Sequence, residues 1–426
     1  MKKRSFPKGL PDRAYGAAGS FYRKYIAPWE WLIFAFLLTG LAIALRAFLF
    51  GFQSNDYTNF LKPWYDKIKA GGGYRALGSE LGSDYTPFYL FFLATLTYLP
   101  VSPLTGIKLF SCLFDFVTAA YVALIVYRMT SQKRLSVCAY AVVLFLPNVF
   151  LDGAEWGQCD MIYICFVVMS VYYAMKDNSY AAAALFGVAF AVKLQAIFFA
   201  PVLVLLLCKG KLKWRSVPLI LVSYLLVGLP AVICGMAPYA AYLRPYLTQM
   251  GEYENLYYAA PNLYCIVKTI YYTEAGQANE GHLRMLGKAF TLFGLGATGI
   301  AMIFFHRKKF PVNEKNLIST AYFFALFVPF VLPYMHERYF LLSDIFAVLF
   351  VFSYPKKSYI GVATMYASLR AIAQNPFHSD FDNKLYMGLV VLAAIVCLAG
   401  VLKKEIFLRE TPQTPRSLPL SGSENE

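Results

Sequence analysis

Long apolar runs are the feature of this sequence that most restricts its fold. Trp31–Phe50, Ile107–Tyr127 and Tyr386–Leu402 contain at most two charged residues each, and short polar segments separate such runs along the chain. Stretches of roughly 17 to 25 mainly apolar residues are typical of transmembrane helices. A membrane barrel would instead show segments of about ten residues with alternating polarity. We therefore predict an all-α polytopic membrane protein.

Composition and charge support this class. Of the 426 residues, 59% are hydrophobic and only 15% are charged, whereas soluble proteins carry about 25% charged residues. The formal net charge is +15. With the amino terminus threaded inside, the inner segments hold 25 Lys and Arg against 8 acidic residues, and the rest of the chain holds 14 against 16. This asymmetry follows the positive-inside rule, so the basic excess indicates topology and no nucleic-acid partner is expected.

The threading predicts about twelve transmembrane helices with both termini in the cytoplasm, a juxtamembrane helix and extracytoplasmic loops. Residues 1–29 form a cytoplasmic basic arm, and residues 30–207 form an N-terminal membrane module. Residues 208–402 form a C-terminal membrane module that contains a long external loop at 235–286. The tail, 403–426, is rich in Pro, Ser and Glu and is predicted to be a disordered cytoplasmic segment.

Two apolar segments do not fit a simple span. Pro87–Leu104 lacks a basic flank, and counting it as a full span would place the basic loop after Tyr127 outside, so we predict a juxtamembrane or re-entrant helix there. The 28-residue run Tyr180–Leu207 is interrupted by Lys193 and Gln195. As one helix it would be about 42 Å long, well beyond a hydrocarbon core of roughly 30 Å. We predict two short helices that meet at Lys193.

Polar residues able to do chemistry collect at the predicted external ends of several spans. They are Asp56, Asp84, Glu155, Trp156, Gln158, Asp160, Lys193, His336, Glu337 and Arg338. Charged groups close to hydrocarbon are costly and tend to mark function. Carboxylates can act as bases, and Lys, Arg or His can stabilise a leaving anion. The pattern therefore favours a catalytic site at the external face.

Four motifs in this set resemble the GT-C superfamily of membrane glycosyltransferases. They are Asp56 shortly after the first span, Asp84-Tyr-Thr-Pro87, Trp156-Gly-Gln-x-Asp160 and Met335-His-Glu-Arg-Tyr339. Within the superfamily they resemble the bacterial mannosyltransferases related to the GPI-anchor enzyme. The resemblance implies a GT-C-like fold with its catalytic module in residues 30–207. It also implies a hexosyltransferase that moves a sugar, with mannose favoured, from a polyprenyl-phosphate donor to an acceptor hydroxyl, with inversion.

The resemblance also implies a place and partners for the reaction. The enzyme would lie in the bacterial plasma membrane with an extracytoplasmic active site, and the acceptor would be a glycan, a glycolipid or a protein. A polyprenyl phosphate is a good leaving group that needs charge stabilisation, whereas a sugar hydroxyl needs a base. We assign Asp56 as that base. The predicted phosphate ligands are Arg338, His336 and Lys193, and the predicted sugar or acceptor ligands are Trp156, Gln158, Asp160, Glu155, Glu337 and Asp84. No cofactor is required, and a divalent cation held by Asp56, Asp84 and Glu155 is left open.

Structural roles compete with several of these assignments. Asp56 and Asp84 would each serve as helix caps in polar loops, and Lys193 would be an ordinary interfacial lysine. Asp115 lies in the middle of a span, where we expect it to be buried against a polar partner. Arg46, near the outer end of the first span, is expected to reach towards the lipid headgroups.

Two other functional classes compete with the transferase. A transporter or flippase of a sugar-lipid would place charged residues and broken helices near the midplane, often in repeated halves. Only Asp115 is predicted to lie that deep, and no motif is duplicated. A membrane acyltransferase or lipid phosphatase is the third alternative. It has little support because only His336 of the four histidines lies in a charged cluster.

Overall fold

The computed structural model describes residues 19–21, 25, 29–252, 256–268, 280–306, 311–374 and 384–407. Nearly all of the predicted basic arm (1–29) and most of the predicted tail (403–426) lie outside the described residues, as do parts of the loop 235–286. The described chain is almost wholly helical. Its one named strand pairing is a two-residue parallel pair, β1 Tyr257–Tyr258 with β2 Met335–His336.

The helices follow one another along the chain with short connections. They are α1 Glu30–Leu49, α2 Lys62–Ala70, α3 Pro87–Leu96, α4 Pro103–Thr130, α5 Lys133–Phe145, α6 Pro147–Phe150, α7 Asp160–Met175, α8 Ser179–Val192, α9 Ala200–Cys208, α10 Pro218–Ile233, α11 Pro238–Tyr242, α12 Arg244–Glu252, α13 Glu280–His306, α14 Glu314–Val331, α15 Leu341–Ser353, α16 Ser358–Ile372 and α17 Lys384–Phe407. Two π-helical turns, π1 Tyr57–Leu61 and π2 Leu151–Trp156, interrupt the α-helical pattern. Short 3-10 segments lie at Gly73–Gly78, Leu194–Phe199, Trp214–Ser216, Glu337–Phe340 and Pro355–Lys357.

Proline sets the start of several of these helices. α3 and α4 both have proline in the first turn, where its fixed φ suits the helix and its missing N–H leaves no bond unmade. Ser102 caps α4 because its hydroxyl accepts a hydrogen bond from the backbone N–H of Thr105 at 3.1 Å. These local signals separate α3 from α4 and place the turn between them.

The protein is an all-α membrane protein. By length and composition, five described helical segments are long and apolar enough to cross a membrane: Glu30–Leu49, Pro103–Thr130, Trp214–Ile233, Gly287–His306 and Lys384–Lys404. Lys133–Phe145 and Pro147–Trp156, bent by 46°, would together make a sixth. Shorter apolar helices lie between them. The number twelve stays a prediction.

The two unusual segments are a short helix and a broken helix, and the juxtamembrane or re-entrant placement of the first stays a prediction. α3 has 10 residues, about 15 Å of helix, which is too short to cross a hydrocarbon core of roughly 30 Å. The apolar run around Lys193 is broken as expected, because α8 ends at Val192 and Lys193 has an extended backbone with φ −154° and ψ 137°. A 3-10 segment and then α9 continue the chain.

The buried charges of the first spans pair with each other. Arg46 is only 2% exposed, and its Nε lies 2.9 Å from Oδ2 of the fully buried Asp115. Its Nη1 also donates to the carbonyl oxygen of Leu144 at 3.1 Å. The expected polar partner of Asp115 is therefore Arg46. The expectation that Arg46 reaches towards the headgroups is wrong, because the carboxylate draws it inward.

Candidate active site

Four separate parts of the chain meet at one end of the helix bundle. They are the segment after α1, the turn between π2 and α7, the break after α8 and the segment after α14. π-helical turns widen a helix locally and often occur at functional sites. Here π1 follows Asp56 directly, and π2 ends at Trp156. Gly157 then turns the chain with φ +80°, a conformation that favours glycine.

The Asp56 carboxylate is held by donors from a distant part of the chain. Its Oδ2 accepts a hydrogen bond from Trp156 Nε1 at 3.1 Å and another from Gln158 Nε2. Arg338 Nη1 lies 3.6 Å from the same oxygen. No cap hydrogen bond joins the Asp56 side chain to the backbone of π1, so capping does not explain this residue. The side chain is 31% exposed, which leaves it open to a ligand.

Arg338 links the four parts of the site. Its Nε lies 3.5 Å from Asp160 Oδ2, and its Nη1 lies 4.0 Å from Glu337 Oε1 as well as close to Asp56. The guanidinium carbon lies 5.3 Å from the centre of the Trp156 ring, a cation–π contact. Arg338 side-chain exposure is 13%. The residue is therefore positioned by three carboxylates and an aromatic face.

Lys193 and Asp160 form the most buried ion pair of this group. Lys193 Nζ donates to both Asp160 oxygens at 2.8 Å, and the two side chains are 9% and 0% exposed. The break after α8 directs the lysine at the first turn of α7, where Asp160 lies. Both oxygens of the carboxylate are thus satisfied by one ammonium group. Lys193 is paired with a protein carboxylate, and its contact with a phosphate stays a prediction.

The charge balance of the cluster is slightly negative. Arg338 and Lys193 contribute two positive charges, while Asp56, Asp160 and Glu337 contribute three negative ones. An excess of cations, which an open phosphate site would show, is not present among these residues. An anionic ligand here would have to contact donors that point away from the carboxylates.

His336 lies beside this cluster without adding charge to it. Its ring stacks on Tyr258, with centroids 4.5 Å apart, and its Nδ1 lies 3.8 Å from Glu337 Oε2. Burial, together with the nearby charges of Arg338 and Lys193, lowers the pKa of His336 to about 2. The imidazole is therefore neutral near pH 7 and could bind a ligand through hydrogen bonds only.

Two predicted ligands lie apart from the ion cluster. Glu155 is buried within π2, and the charge that acts on it is Lys108. Burial raises the pKa of Asp84 above its ordinary value, and the neighbouring cation Arg244 offsets part of that rise. Thr86 is the N-cap residue of α3, and its side chain makes no cap hydrogen bond. No group of three or more His, Cys, Asp or Glu that could hold a metal ion occurs within the described residues.

One residue that the sequence did not single out contacts the site directly. The Tyr85 hydroxyl donates to Gln158 Oε1 at 3.2 Å. Because the amide nitrogen of Gln158 donates to Asp56, Tyr85 fixes which end of the amide faces the carboxylate. Ser54 likewise anchors the turn, since its hydroxyl donates to the carbonyl oxygen of Trp156 at 2.8 Å. Tyr85 lies within the Asp84-Tyr-Thr-Pro87 motif, which was the available signal.

Comparison with known proteins places the middle of the chain in a family. A model of glycosyltransferase family 87 matches residues 84–329, more than half of the chain. The matched region includes Tyr85, Trp156, Asp160 and Lys193, while Asp56 and Arg338 lie on either side of it. No curated protein matches the sequence.

Proposed function

Because the chain belongs to glycosyltransferase family 87, we propose that it transfers a hexose, mannose by preference, from a polyprenyl-phosphate donor to an acceptor hydroxyl. The reaction is proposed to take place at the extracytoplasmic face of a bacterial plasma membrane. The observation that carries the proposal is the contact of 3.6 Å between the Asp56 carboxylate and the Arg338 guanidinium. A base and a cation in one site are the two groups that such a displacement needs.

Asp56 is the proposed general base. Its hydrogen bonds to described residues are made by Oδ2, which is also the oxygen near Arg338, and Oδ1 is proposed to face the acceptor. In the proposed step, Oδ1 takes the proton of the acceptor hydroxyl as the acceptor oxygen bonds to C1 of the sugar. The bond from C1 to the phosphate oxygen breaks, and its electron pair leaves with the phosphate. Attack opposite the leaving group inverts the configuration at C1.

Arg338 is the proposed ligand of the leaving phosphate. Its Nε and Nη1 face protein carboxylates, and Nη2 makes no hydrogen bond to a residue that the structure describes. A phosphate oxygen at Nη2 would gain a charge-assisted hydrogen bond. The neutral His336 beside it would add a hydrogen bond and no charge. Phosphate binding at Nη2 is compatible with the slightly negative charge of the cluster, because a single open donor is enough to contact a phosphate oxygen.

Lys193 is proposed to act through Asp160 instead of on the donor. The ammonium compensates the carboxylate, and the carboxylate in turn positions Arg338 at 3.5 Å. Trp156 and Gln158 orient Asp56 and would offer an aromatic face and an amide edge to a sugar. Glu155, Glu337 and Asp84 are kept as outer ligands of the sugar or acceptor, which would be a glycan, a glycolipid or a protein.

A lipid-linked donor suits a site built at the ends of membrane helices. Its isoprenoid chain would remain in the bilayer while the phosphate and sugar reach the polar cluster. The transporter alternative gains no support, since the deep charges Arg46 and Asp115 neutralise one another and are not exposed to a path.

The test is transfer by the purified protein from a panel of polyprenyl-phosphate hexoses. Asp56→Asn should lower kcat by about 100-fold or more, since the base is lost while the side-chain volume is kept, and donor binding should persist. Asp66→Asn is the matched control, because that aspartate is exposed, pairs with Lys62 and lies ten positions further on. Full transfer by Asp56→Asn would refute the proposed base.

Arg338 variants test the leaving-group contact. Arg338→Ala should weaken binding of the polyprenyl-phosphate donor, and Arg338→Lys should recover part of it, because lysine keeps the charge and loses the planar set of donors. Equal donor affinity in the three proteins would exclude Arg338 as a phosphate ligand. Transfer from a nucleotide sugar alone would overturn the donor class.

A further inference from the structure

Lys108 is a buried charged residue to which the proposed reaction gives no role. It lies near the start of α4 and is 0% exposed. Its Nζ donates hydrogen bonds to the backbone carbonyl oxygens of Leu49 at 3.1 Å, Phe50 at 3.3 Å and Phe52 at 2.7 Å. A lysine ammonium group has three N–H donors and no acceptor. These three carbonyl groups therefore match its full set of donors.

The three carbonyl groups lie at the end of α1 and in the segment that leads to Asp56. Leu49 is the last residue of α1, and the last carbonyl groups of a helix lack partners within it. Helix capping would thus explain the contacts with Leu49 and Phe50. The shortest contact is with Phe52, three residues beyond the helix and four residues before Asp56. Lys108 therefore also holds the linker, residues 50–56, that presents Asp56.

Lys108 also lies against the turn, residues 152–158, that supplies the hydrogen-bond donors to Asp56. A β-carbon added at Gly157 would lie 3.9 Å from Cγ and 4.0 Å from Cε of the lysine, so the aliphatic part of the side chain packs beside this glycine. Trp156 and Gln158 flank Gly157, and both donate to Asp56 Oδ2. One buried lysine thus contacts the linker that carries the proposed base and the turn that orients it.

We propose that Lys108 is a positioning residue for Asp56. It fixes the linker through three carbonyl groups and supports the turn at Gly157, so that the Asp56 carboxylate keeps one direction relative to the acceptor. Ionisable residues within membrane helices commonly pair with backbone carbonyls and mark functional sites. The inference rests on the proposed function, in which Asp56 takes the acceptor proton. Loss of Lys108 would displace that carboxylate without removing it, and small displacements of a reacting group slow a reaction strongly.

The first measurement is transfer and donor binding by the full chain carrying Lys108→Met, which removes all three N–H donors. The variant should lower kcat by about 10- to 100-fold. Donor affinity should stay within about twofold of the parent's, because the lost interaction acts on the base and not on the groups that hold the donor. Lys67→Met is the matched control, since that lysine donates to the carbonyl oxygen of Leu81 at 3.2 Å, and it should leave both values unchanged. An unchanged kcat in Lys108→Met, or a loss of donor affinity as large as the loss of kcat, would overturn the proposal.

A double variant separates positioning from general stabilisation. If Lys108 acts through Asp56, its loss should matter little once the base is gone, so Lys108→Met/Asp56→Asn should transfer within about twofold of Asp56→Asn alone. A lysine that only stabilises the fold would lower the fraction of active protein, and the two losses would multiply. Multiplied losses would therefore exclude the positioning role. If Lys108→Met does not fold, Lys108→Gln takes its place, because it keeps two N–H donors and should show smaller changes of the same kind.

Hydrogen–deuterium exchange distinguishes a failure of this inference from a failure of the proposed function, because it needs no turnover. In Lys108→Met, the backbone amides of the linker and of the turn should exchange about fivefold faster or more, while those of α14 keep the parent rate. Unchanged exchange in the linker and the turn would overturn the positioning role. Faster exchange there, together with no transfer by the parent protein from any donor, would refute the proposed function and still support the placement of Asp56 by Lys108.

Discussion

Removing either member of the Lys193–Asp160 pair should destabilise the protein by unequal amounts. The ammonium lies 2.8 Å from both carboxylate oxygens, and the two side chains are 9% and 0% exposed. Breaking a buried pair strands a charge and costs about 3 to 5 kcal/mol. After Lys193→Met, Asp160 still has Arg338 at 3.5 Å, so we expect a loss at or just below the low end of that range, about 2 to 3 kcal/mol. After Asp160→Asn, Lys193 has no carboxylate partner at this position, and we expect the free energy of unfolding to fall by about 4 kcal/mol.

The double variant carries the decisive information. Lys193→Met/Asp160→Asn leaves no stranded charge, since Arg338 retains Asp56 and Glu337 within ion-pair distance. Its loss should be no greater than that of Asp160→Asn alone, which gives a coupling energy of about 2 kcal/mol or more. The assay is unfolding of purified protein by sodium dodecyl sulfate in mixed micelles, with the exposed Lys69→Met as control.

Donor binding distinguishes the two roles considered for Lys193. If the ammonium positions Asp160, the double variant should bind the polyprenyl-phosphate donor more tightly than Asp160→Asn alone, because the stranded charge no longer disturbs Arg338. Strictly additive stability losses would refute the coupling. Equal loss of donor affinity in Lys193→Met and in the double variant would indicate that Lys193 binds the donor phosphate directly.

Three other outcomes follow from the structure. Tyr85→Phe removes a hydroxyl donor from the site and should lower kcat by about tenfold with donor affinity unchanged, whereas Tyr89→Phe should have no such effect, because that buried hydroxyl has no hydrogen-bond partner among the described residues. The folded-state pKa of His336 lies near 2, well below the unfolded value of about 6.5. Its contribution to stability is therefore present above the unfolded value and is lost as the pH falls, by up to about 1.4 kcal/mol per pH unit. His336→Gln should remove this pH dependence from the free energy of unfolding measured from pH 7.5 to 5. An impermeant reagent should label a cysteine at exposed Asn55 only from outside, and a cysteine at exposed Gln132 only from the cytoplasm. Labelling of both from one side would overturn the predicted topology.

Local sequence patterns were sufficient for much of the fold. An apolar run too long for one helix, with a charge inside it, predicts the break at Lys193 because hydrocarbon thickness and helix rise are fixed. The predicted apolar segment from Pro87 begins with α3, because proline suits the first turn of a helix. The next helix, α4, begins at Pro103, four residues before the predicted start of its span at Ile107. The motifs around Asp56, Trp156 and Arg338 were expected to share one end of the bundle, and their side chains are in contact.

The tertiary structure alone decided which polar and charged side chains pair with one another. Lys193 pairs with a residue 33 positions away, Arg46 with one 69 positions away, and Tyr85 bonds to an amide 73 positions away. These pairings cannot be predicted from sequence order, because a side chain at a helix end can face several neighbours at the same depth. The neutral state of His336 has the same origin, since burial and two cations from other segments lower its pKa. The sequence by itself determined a membrane bundle with its reactive residues at one end, and packing determined which of them compensate one another and which remain open to a ligand.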